Sequence, residues 1–467
     1  MILADLMLDG RLVDVEVEAG VIRDVRDAGA QRSGEVRLFD GRAVVPGLWD
    51  EHVHLSQWAM SRRRIGVEPA RSAAEAVAIV AAAMRDGDEP VVGHGYRDAL
   101  WPDEPTASAL DAIAPHRPVV LVNADLHSCW VNTAALGRFG LGGTGIVRES
   151  AAFALVRELD AVADEALDGW IADAAAAAAA RGVVGVVDLE MRWGVDDWVR
   201  RVDAGFSSLR VETGIYPQHV DLAIERGLRS GDFLAPLVRV GPAKIISDGS
   251  LGTRTAYCHA PYPDGDRGLL TVPAERLVEW MSRCAAAGLS PAVHAIGDAA
   301  AGHALDAFAA VGCGGRIEHA QLLTSSDVPR FAALGVTASV QPEHAMDDRD
   351  MVERFWAGSA GVAFPLRSLL DSGARLVFGS DAPVAALDPW RAMSAAVVRG
   401  RDGREPWRPG QAVTPDEALT ASSRTTIAAG EPADLVVVDA DPRSPSALRD
   451  MPVHLTMLGG EVTFAAG

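Results

Sequence analysis

The stretch "PGLWDEHVHL", residues 46–55, interrupts a strand-like apolar segment with two acids and two histidines. Burying polar side chains without partners is costly, so such a pattern needs a compensating interaction. His52 and His54 are two residues apart, so both side chains point to the same side of a strand. A cation that binds their lone pairs explains why two imidazoles lie together at the end of a buried strand.

Composition limits the classes of partner. The chain has 467 residues, 49% of them hydrophobic, which is enough for a large core and more than one domain. Its formal net charge is -21, and no block of lysines or arginines offsets it. This charge disfavours binding to nucleic acid and to anionic membrane surfaces. We therefore expect a small-molecule substrate as the main partner.

Cysteine usage and the amino terminus indicate the compartment. Four cysteines lie far apart, as expected for free thiols in a reducing environment: Cys129, Cys258, Cys284 and Cys313. The amino terminus lacks the basic region of a secretory signal. No apolar run approaches the ~20 residues of a membrane span. The expected location is the cytoplasm.

The middle of the chain alternates short Val/Ile-rich runs with alanine-rich helical stretches, a pattern typical of parallel strands joined by helices. Strands are predicted at residues 43–54, 182–190, 209–217, 238–250, 290–298, 315–321, 335–342 and 374–383. Eight strand–helix units in this length predict an α/β protein built on a (β/α)8 TIM-type barrel.

The two termini follow a different pattern, with short alternating segments broken by tight turns. We predict that residues 1–43 and 427–467 pair into a small discontinuous β-sandwich domain, which leaves residues 44–426 for the barrel. Residues 55–168 are too long for a simple crossover after the first strand, and they contain strand-like pieces of their own. They are predicted to form an inserted subdomain over the barrel mouth.

Polar residues recur at the carboxyl ends of the predicted barrel strands, where barrel enzymes place their chemistry. They are His52, His54, Lys244, His294, His319 and Asp381. Imidazoles and a carboxylate that converge are suitable ligands for Zn²⁺ and similar divalent ions. A protonated lysine beside such ions would be repelled, so Lys244 must be neutral or modified. Reaction of a neutral amine with CO₂ gives a carbamate, an anionic oxygen donor that can bridge two metals.

These positions resemble the metal-dependent amidohydrolase superfamily, which also has a discontinuous β-sandwich. More specific phrases are similar to the amidohydrolase family 3 branch, with its N-substituted formamide deformylases: "LHSCWVNTAAL", "KIISDGSLGTRTA", "HAIGDAA", "RIEHAQ", "SVQPEH" and "GSDAPV". The resemblance spans nearly the whole chain. The chain departs from the branch at two points. In "DLHS", Leu126 stands in place of the usual glycine, and the insertion after the first strand is shorter.

Carried over by position, the resemblance implies a centre of one or two divalent ions, with Zn expected and Mn or Fe as options. The more buried ion would be held by two histidines of the first strand and by the aspartate of the eighth: His52, His54 and Asp381. The other would be held by histidines of the fifth and sixth strands, with the lysine carbamate as the bridge: His294, His319 and Lys244.

The implied reaction is hydrolysis of an amide-like, non-peptide C–N bond, of the N-formyl or N-acyl type. A metal-bound hydroxide would attack the carbonyl carbon, since a divalent cation makes hydroxide available near neutral pH. Asp381 would serve first as general base and then as general acid toward the leaving nitrogen. His127 in the insertion would help to stabilise the oxyanion.

Further residues near the predicted mouth are candidate substrate contacts: Tyr96, Trp130, Arg254 and His344. For each of them, ordinary packing or structural pairing is the alternative. Asp248 in "SDGS" is expected either to orient Lys244 and its loop without binding metal, or to be a simple turn aspartate.

Two other functions remain open at this point. A mononuclear deaminase on the same barrel would need the first-strand histidines, His294 and Asp381, but no lysine carbamate. A catalytically silent scaffold would be expected to lose ligand residues, whereas all six positions are filled here. In each case we expect a homo-oligomer, with a dimer as the simplest form.

Overall fold

A barrel of parallel strands organises the molecule, described here from a computed structural model that covers residues 1–29 and 31–467. In this described part of the chain, eight parallel strands follow one another around a nearly closed barrel. They are β1 (Leu48–Val53), β2 (Val183–Asp188), β3 (Arg210–Ile215), β4 (Val238–Ile246), β5 (Pro291–Ala295), β6 (Gly315–His319), β7 (Val336–Val340) and β8 (Leu376–Phe378). The predicted fold class is therefore confirmed.

The barrel closes between β8 and β1 just beyond the end of β8. The backbone N–H of Ser380 donates to Oδ1 of Asp50 (2.9 Å), and the N–H of Asp381 donates to the carbonyl of His52 (2.7 Å). The N–H of His54 donates to the carbonyl of Ala382 (2.9 Å). Closure therefore joins the two segments that carry the "DEHVH" and "GSDAP" motifs.

Helices cover the outside of the barrel and bury apolar faces against the strands. In chain order they span Asp164–Ala179, Gly194–Asp203, Val220–Glu225, Ala274–Ala286, Asp298–Val311, Val328–Leu334, Pro342–Phe355, Leu366–Asp371, Pro389–Val398 and Pro415–Ala421. In helix Asp298–Val311, for example, Ala300, Ala304 and Phe308 are fully buried against β5 and β6. Short strands Phe233–Ala235, Leu322–Leu323 and Val362–Ala363 lie between these elements.

Both termini contribute to one sheet, in agreement with the β-sandwich expected from them. Its strands are Ile2–Leu8, Arg11–Glu18, Val21–Asp27, Val36–Leu38, Ala43–Pro46, Leu435–Val438, Val453–Leu458 and Glu461–Ala465. Strand Ala43–Pro46 pairs antiparallel with Leu435–Val438, which joins the two ends of the chain. The segment predicted as a single strand at 43–54 is thus divided at Gly47: its first part belongs to the terminal sheet and the rest is β1.

The insertion after β1 forms its own five-stranded sheet with flanking helices. The strands are Ile65–Gly66, Val91–Tyr96, Val119–Asn123, Ser128–Val131 and Ile146–Arg148. The helices are Leu55–Ser61, Ala73–Ala83, Ala107–Asp111, Thr133–Arg138 and Glu149–Leu159. Residues Asn123–His127 of this unit line the cavity at the barrel mouth, so the insertion lies over that mouth. The helix that leads into β2 begins at Asp164, within the segment predicted as insertion.

Across residues 1–29 and 31–467, every helix is too short or too polar to cross a lipid bilayer.

Candidate metal centre

The six predicted ligand residues lie together in one cavity at the carboxyl ends of the barrel strands. Nε2 of His52 lies 3.3 Å from Oδ1 of Asp381 and 3.3 Å from Nζ of Lys244. Nε2 of His54 is also 3.3 Å from Oδ1 of Asp381. The rings of His294 and His319 have centroids 4.4 Å apart, and the His319 ring lies 4.9 Å from that of His52. The structure therefore brings together six residues that come from separate strands.

Two of these residues have a left-handed backbone. His319 has φ 74° and Asp381 has φ 58°, and this region costs roughly 1–2 kcal/mol for a residue with a side chain. At the end of β6 the conformation breaks the alternation of the strand. As a result, both Glu318 and His319 reach the interior near His52. Such strain is typical of functional sites that the surrounding fold holds in place.

The residues present fit a divalent cation. Nδ1 of His54 and Nδ1 of His319 are buried without a hydrogen-bond partner among the described residues. Burial lowers the pKa of His52 to about 4 and holds the pKa of His319 well below its usual value, so both rings are neutral and keep a lone pair. One atom each from His52, His319 and Asp381 lies within 4.8 Å of the others. Neutral imidazoles around a carboxylate are a set of ligands that Zn²⁺ and related ions accept.

Asp381 is the anionic member of the cluster. Burial alone would raise its pKa, but the adjacent rings of His52 and His54 hold the pKa of this carboxyl well below its usual range. The side chain is therefore ionised at neutral pH. It can bind a cation and can accept a proton.

Lys244 is buried, with 2% of its surface exposed. Within the described part of the chain, Nζ has one hydrogen-bond contact, with His52. Burial lowers the pKa of this amine to about 8, although nearby carboxylates oppose the shift. Lys244 is also the only lysine among the 43 Lys and Arg residues of the sequence. Because every other member of that set is an arginine, the lysine at this position indicates a role for its amine.

His127 and His344 lie on the wall of the same cavity. Nδ1 of His127 lies 3.0 Å from Oε2 of Glu149; burial lowers the pKa of His127, but this hydrogen bond raises it above its ordinary value. Nδ1 of His344 lies 3.2 Å from Nε2 of Gln321, and its Nε2 lies 3.9 Å from Oδ2 of Asp381. Both histidines are placed where they can contact a bound substrate.

The other three predicted substrate contacts lie outside the cavity. Trp130 is fully buried in the core of the insertion, where its Nε1 donates to the carbonyl of Thr106 (2.8 Å). Tyr96 lies in the same core, with its hydroxyl 3.0 Å from that of Ser128. Arg254 is partly exposed and pairs with Asp264 (2.7 Å). These three side chains have structural partners, so we do not assign them a contact with substrate.

Asp248 connects the loops that follow β4 and β5. It is fully buried and accepts hydrogen bonds from the backbone N–H groups of Ile296 (3.0 Å), Gly297 (2.9 Å) and Tyr257 (2.9 Å). Its Oδ1 lies 3.4 Å from Nε2 of His294. The side chain therefore orients the loops next to His294. The sequence had indicated that it orients Lys244 and its loop, but the contact in the structure is with His294.

Two buried acids next to the centre were missed in the sequence. Asp50 helps to close the barrel through Ser380, and Glu318 lies against His52. Both occur inside the quoted motifs, immediately before or near a candidate ligand. Each acid lies within a segment that the sequence predicts as a buried strand. Acids are rarely fully buried without a partner, so this placement could have indicated a role beside the ligands.

Leu126 occupies the position where the related branch usually has glycine. Its φ is 65°, in the left-handed region that glycine adopts without strain. Its side chain lies in the cavity wall together with other apolar residues: Phe153, Met191, Leu251 and Met351. The cavity encloses about 100 Å³. The pocket next to the centre therefore combines an apolar wall with the polar residues of the centre.

Comparisons with known proteins agree with this geometry. A profile described as "Amidohydrolase family" matches residues 39–464. Protein LONG AFTER FAR-RED 3 of Arabidopsis thaliana is 30% identical over 83% of this chain and 74% of that protein. An N-substituted formamide deformylase of Arthrobacter pascens is 27% identical over 99% of this chain and 94% of that protein. The crystal structure of an uncharacterized metal-dependent hydrolase from Pyrococcus horikoshii OT3 has a TM-score of 0.79 at 26% identity, covering 94% of this chain and 97% of its own.

Proposed function

This chain belongs to the amidohydrolase family of metal-dependent hydrolases, and from that premise we propose that it hydrolyses an amide-like C–N bond of a small molecule. The bond is of the N-formyl or N-acyl type. The name of the Arthrobacter relative supports this class, since that protein is an N-substituted formamide deformylase that aligns along nearly the whole chain.

The observation that carries the proposal is the meeting of four imidazoles, one amine and one carboxylate in a single cavity. The residues that would hold the divalent ions are His52, His54, Lys244, His294, His319 and Asp381. When bound, such ions supply Lewis acidity, which polarises a carbonyl group and makes hydroxide available near neutral pH.

Lys244 is proposed to react with CO₂ and to bind as a carbamate. A buried ammonium group among neutral imidazoles has no counter-charge at contact distance, since His52 is the hydrogen-bond contact of Nζ in the described chain. The neutral amine is favoured by burial, and a neutral amine is the form that adds to CO₂. Addition of CO₂ forms an N–C bond and releases one proton to solvent, so the product carries a negative charge, which would balance the charge of bound cations.

Asp381 is proposed to move the proton in the reaction. Its carboxylate accepts a proton from the attacking water and later returns it to the leaving nitrogen. His127 and His344 lie on the cavity wall and can donate a hydrogen bond to the oxygen of the scissile carbonyl. The apolar wall around Leu126 and Phe153 would receive the substituent on the amide.

A mononuclear deaminase is the second candidate. It is favoured by the close approach of three atoms, one each from His52, His319 and Asp381, which could hold a single ion. In that case Lys244 would remain an unmodified amine. The two candidates therefore differ in the number of ions per chain and in the product released.

The test combines metal counting with product analysis. Metal-free protein is reloaded separately with Zn, Mn or Fe, and ions per chain are counted by mass spectrometry. Each form is then assayed with N-formyl and N-acetyl amines for amine release, and with aminopyrimidines for ammonia release. We expect amine release with two ions per chain. Ammonia release with one ion would establish the rival, and no turnover in any metal form would refute both.

A further inference from the structure

A layer of buried and half-buried charged residues lies in the barrel beside the candidate metal centre. We call it the floor layer, and its members are Glu51, Glu212, Arg316, Glu318 and Arg424. Glu51, Glu318 and Arg316 come from β1 and β6, and Glu212 comes from β3. Arg424 follows the last barrel helix and stacks on the ring of Trp49 at 3.7 Å.

The two arginines connect all three carboxylates. Arg424 donates to both carboxylate oxygens of Glu51 (2.6 and 2.7 Å) and also pairs with Glu212 (2.5 Å). Arg316 donates to Glu51 (3.1 Å) and, through Nε, to Glu318. Each carboxylate is therefore held by a guanidinium group in a fixed geometry.

The charges of the floor layer do not cancel. It contains three carboxylates and two guanidinium groups, so one negative charge is left over. Nε of Arg316 donates to Glu318, and this ion pair holds the side chain as a carboxylate. Oε2 of Glu318 lies 2.7 Å from Nδ1 of His52. The negatively charged floor layer thus contacts the candidate metal ligand His52 through Glu318.

This contact favours one of the two tautomers of His52. The carboxylate of Glu318 cannot donate, so its 2.7 Å contact favours a proton on Nδ1. Nζ of Lys244 contacts Nε2 at 3.3 Å and can donate to it, which favours the same tautomer. The amide nitrogen of Gln341 is farther from Nδ1, at 3.3 Å, and as a donor it would favour the opposite tautomer. With the proton on Nδ1, the lone pair of Nε2 faces Lys244 and Asp381.

We propose that Glu318 is a positioning residue, which holds His52 with its proton on Nδ1 and its Nε2 directed at the metal centre. The inference rests on the proposed function only in requiring that the centre binds a divalent ion. Carboxylates that support a ligand histidine in this way typically contribute 10–100-fold to metal affinity. Arg316 holds Glu318 in turn and also pairs with Glu51, which Arg424 holds. The contacts thereby link the metal centre to the segment before the last strands of the terminal sheet.

The first experiment measures zinc affinity of the full-length protein by competition with a chromophoric chelator. We expect Glu318→Gln to weaken zinc binding by about 10–100-fold. Glu212→Gln is the matched control, because Glu212 is a carboxylate of the same layer that pairs with Arg424 instead of a histidine. It should bind zinc within about twofold of the unchanged protein. Equal affinities for Glu318→Gln and the unchanged protein would overturn the inference.

A second measurement does not depend on whether Glu318→Gln folds. In unchanged, metal-free protein labelled with ¹⁵N-histidine, NMR distinguishes the two tautomers of His52, whose signals are assigned with His52→Ala. We expect the proton on Nδ1, and a proton on Nε2 would overturn the inference. If the unchanged protein binds no divalent ion, the proposed function fails instead, so the two failures are distinguishable.

Discussion

His52 and Asp381 meet twice: Nε2 of His52 lies 3.3 Å from Oδ1 of Asp381, and the backbone N–H of Asp381 donates to the carbonyl of His52 at 2.7 Å. The same pair therefore closes the barrel between β8 and β1 and brings two candidate metal ligands together. Any change that separates the two strands should damage both stability and metal binding.

Gly379→Ala should open this closure. A carbon added at Gly379 would lie 2.6 Å from the backbone nitrogen of His52, so the strands would have to move apart. We expect the free energy of unfolding to fall by about 1–3 kcal/mol, as for other overpacked sites, together with weaker zinc retention. Thermal denaturation and metal analysis measure the two effects.

Gly410→Ala is the control for this substitution, since nothing in the described part of the chain lies within 4 Å of the added carbon. It should change neither quantity. Equal melting temperatures for the two variants would contradict the role assigned to Gly379.

Asp381→Asn should remove turnover while largely retaining metal. The amide keeps the shape of the side chain and one oxygen, but it cannot accept the proton of the attacking water. We expect kcat to fall by about 10²–10⁴-fold, the usual contribution of general acid–base catalysis. Steady-state kinetics and metal content are measured on the same preparation. Unchanged turnover would refute the assigned role.

The proposed carbamate on Lys244 can be tested directly, because this is the only lysine in the sequence. Protein labelled with ¹⁵N at the lysine Nζ is loaded with zinc under ¹³CO₂. We expect one carbamate carbon signal, split by coupling to the labelled nitrogen, and its loss in Lys244→Arg. Zinc-loaded protein that gives no split signal would contradict carbamate formation.

Leu126→Gly should widen the range of accepted substrates. The change removes an apolar side chain from the cavity wall and relieves a left-handed φ of 65°. We expect kcat/KM for amides with bulky nitrogen substituents to rise several-fold, with little change for the smallest formamide. Leu126→Ala separates the two effects, since it removes bulk but keeps the backbone strain. No gain for bulky substrates in either variant would show that Leu126 does not limit the pocket.

Asp348→Asn should stabilise the protein at alkaline pH. Burial in the cavity wall raises the pKa of Asp348 to about 7, well above its value in an unfolded chain. Below about pH 4 both states carry the proton, so the substitution has no electrostatic effect there. As pH rises from 4 to 7, the unfolded chain loses this proton first, so the unchanged protein loses stability.

The melting temperatures of Asp348→Asn and the unchanged protein should therefore diverge between about pH 4 and pH 7 and stay apart above that. Asp350→Asn serves as the control on the same helix, because a hydrogen bond from Arg404 lowers the pKa of Asp350. It should not be stabilised as pH rises. A constant difference for Asp348→Asn across this range would contradict the assigned pKa shift.

The sequence by itself determined the eight barrel strands and the polar residues at their carboxyl ends. Both depend on local patterns: the alternation of side chains along a strand, and the rule that barrel chemistry lies at one end of the strands. Those patterns were sufficient to select His52, His54, Lys244, His294, His319 and Asp381, which the structure brings into one cavity.

Only the tertiary structure decided the partners of these residues. His319 reaches the metal centre beside Glu318 because its backbone is left-handed, and Arg424 reaches Glu51 across 373 positions of sequence. Trp130 and Tyr96 lie in the core of the insertion, since alternation alone does not tell a cavity wall from the core of a second sheet. Strand periodicity is a short-range property, whereas these contacts depend on how distant strands close into a barrel.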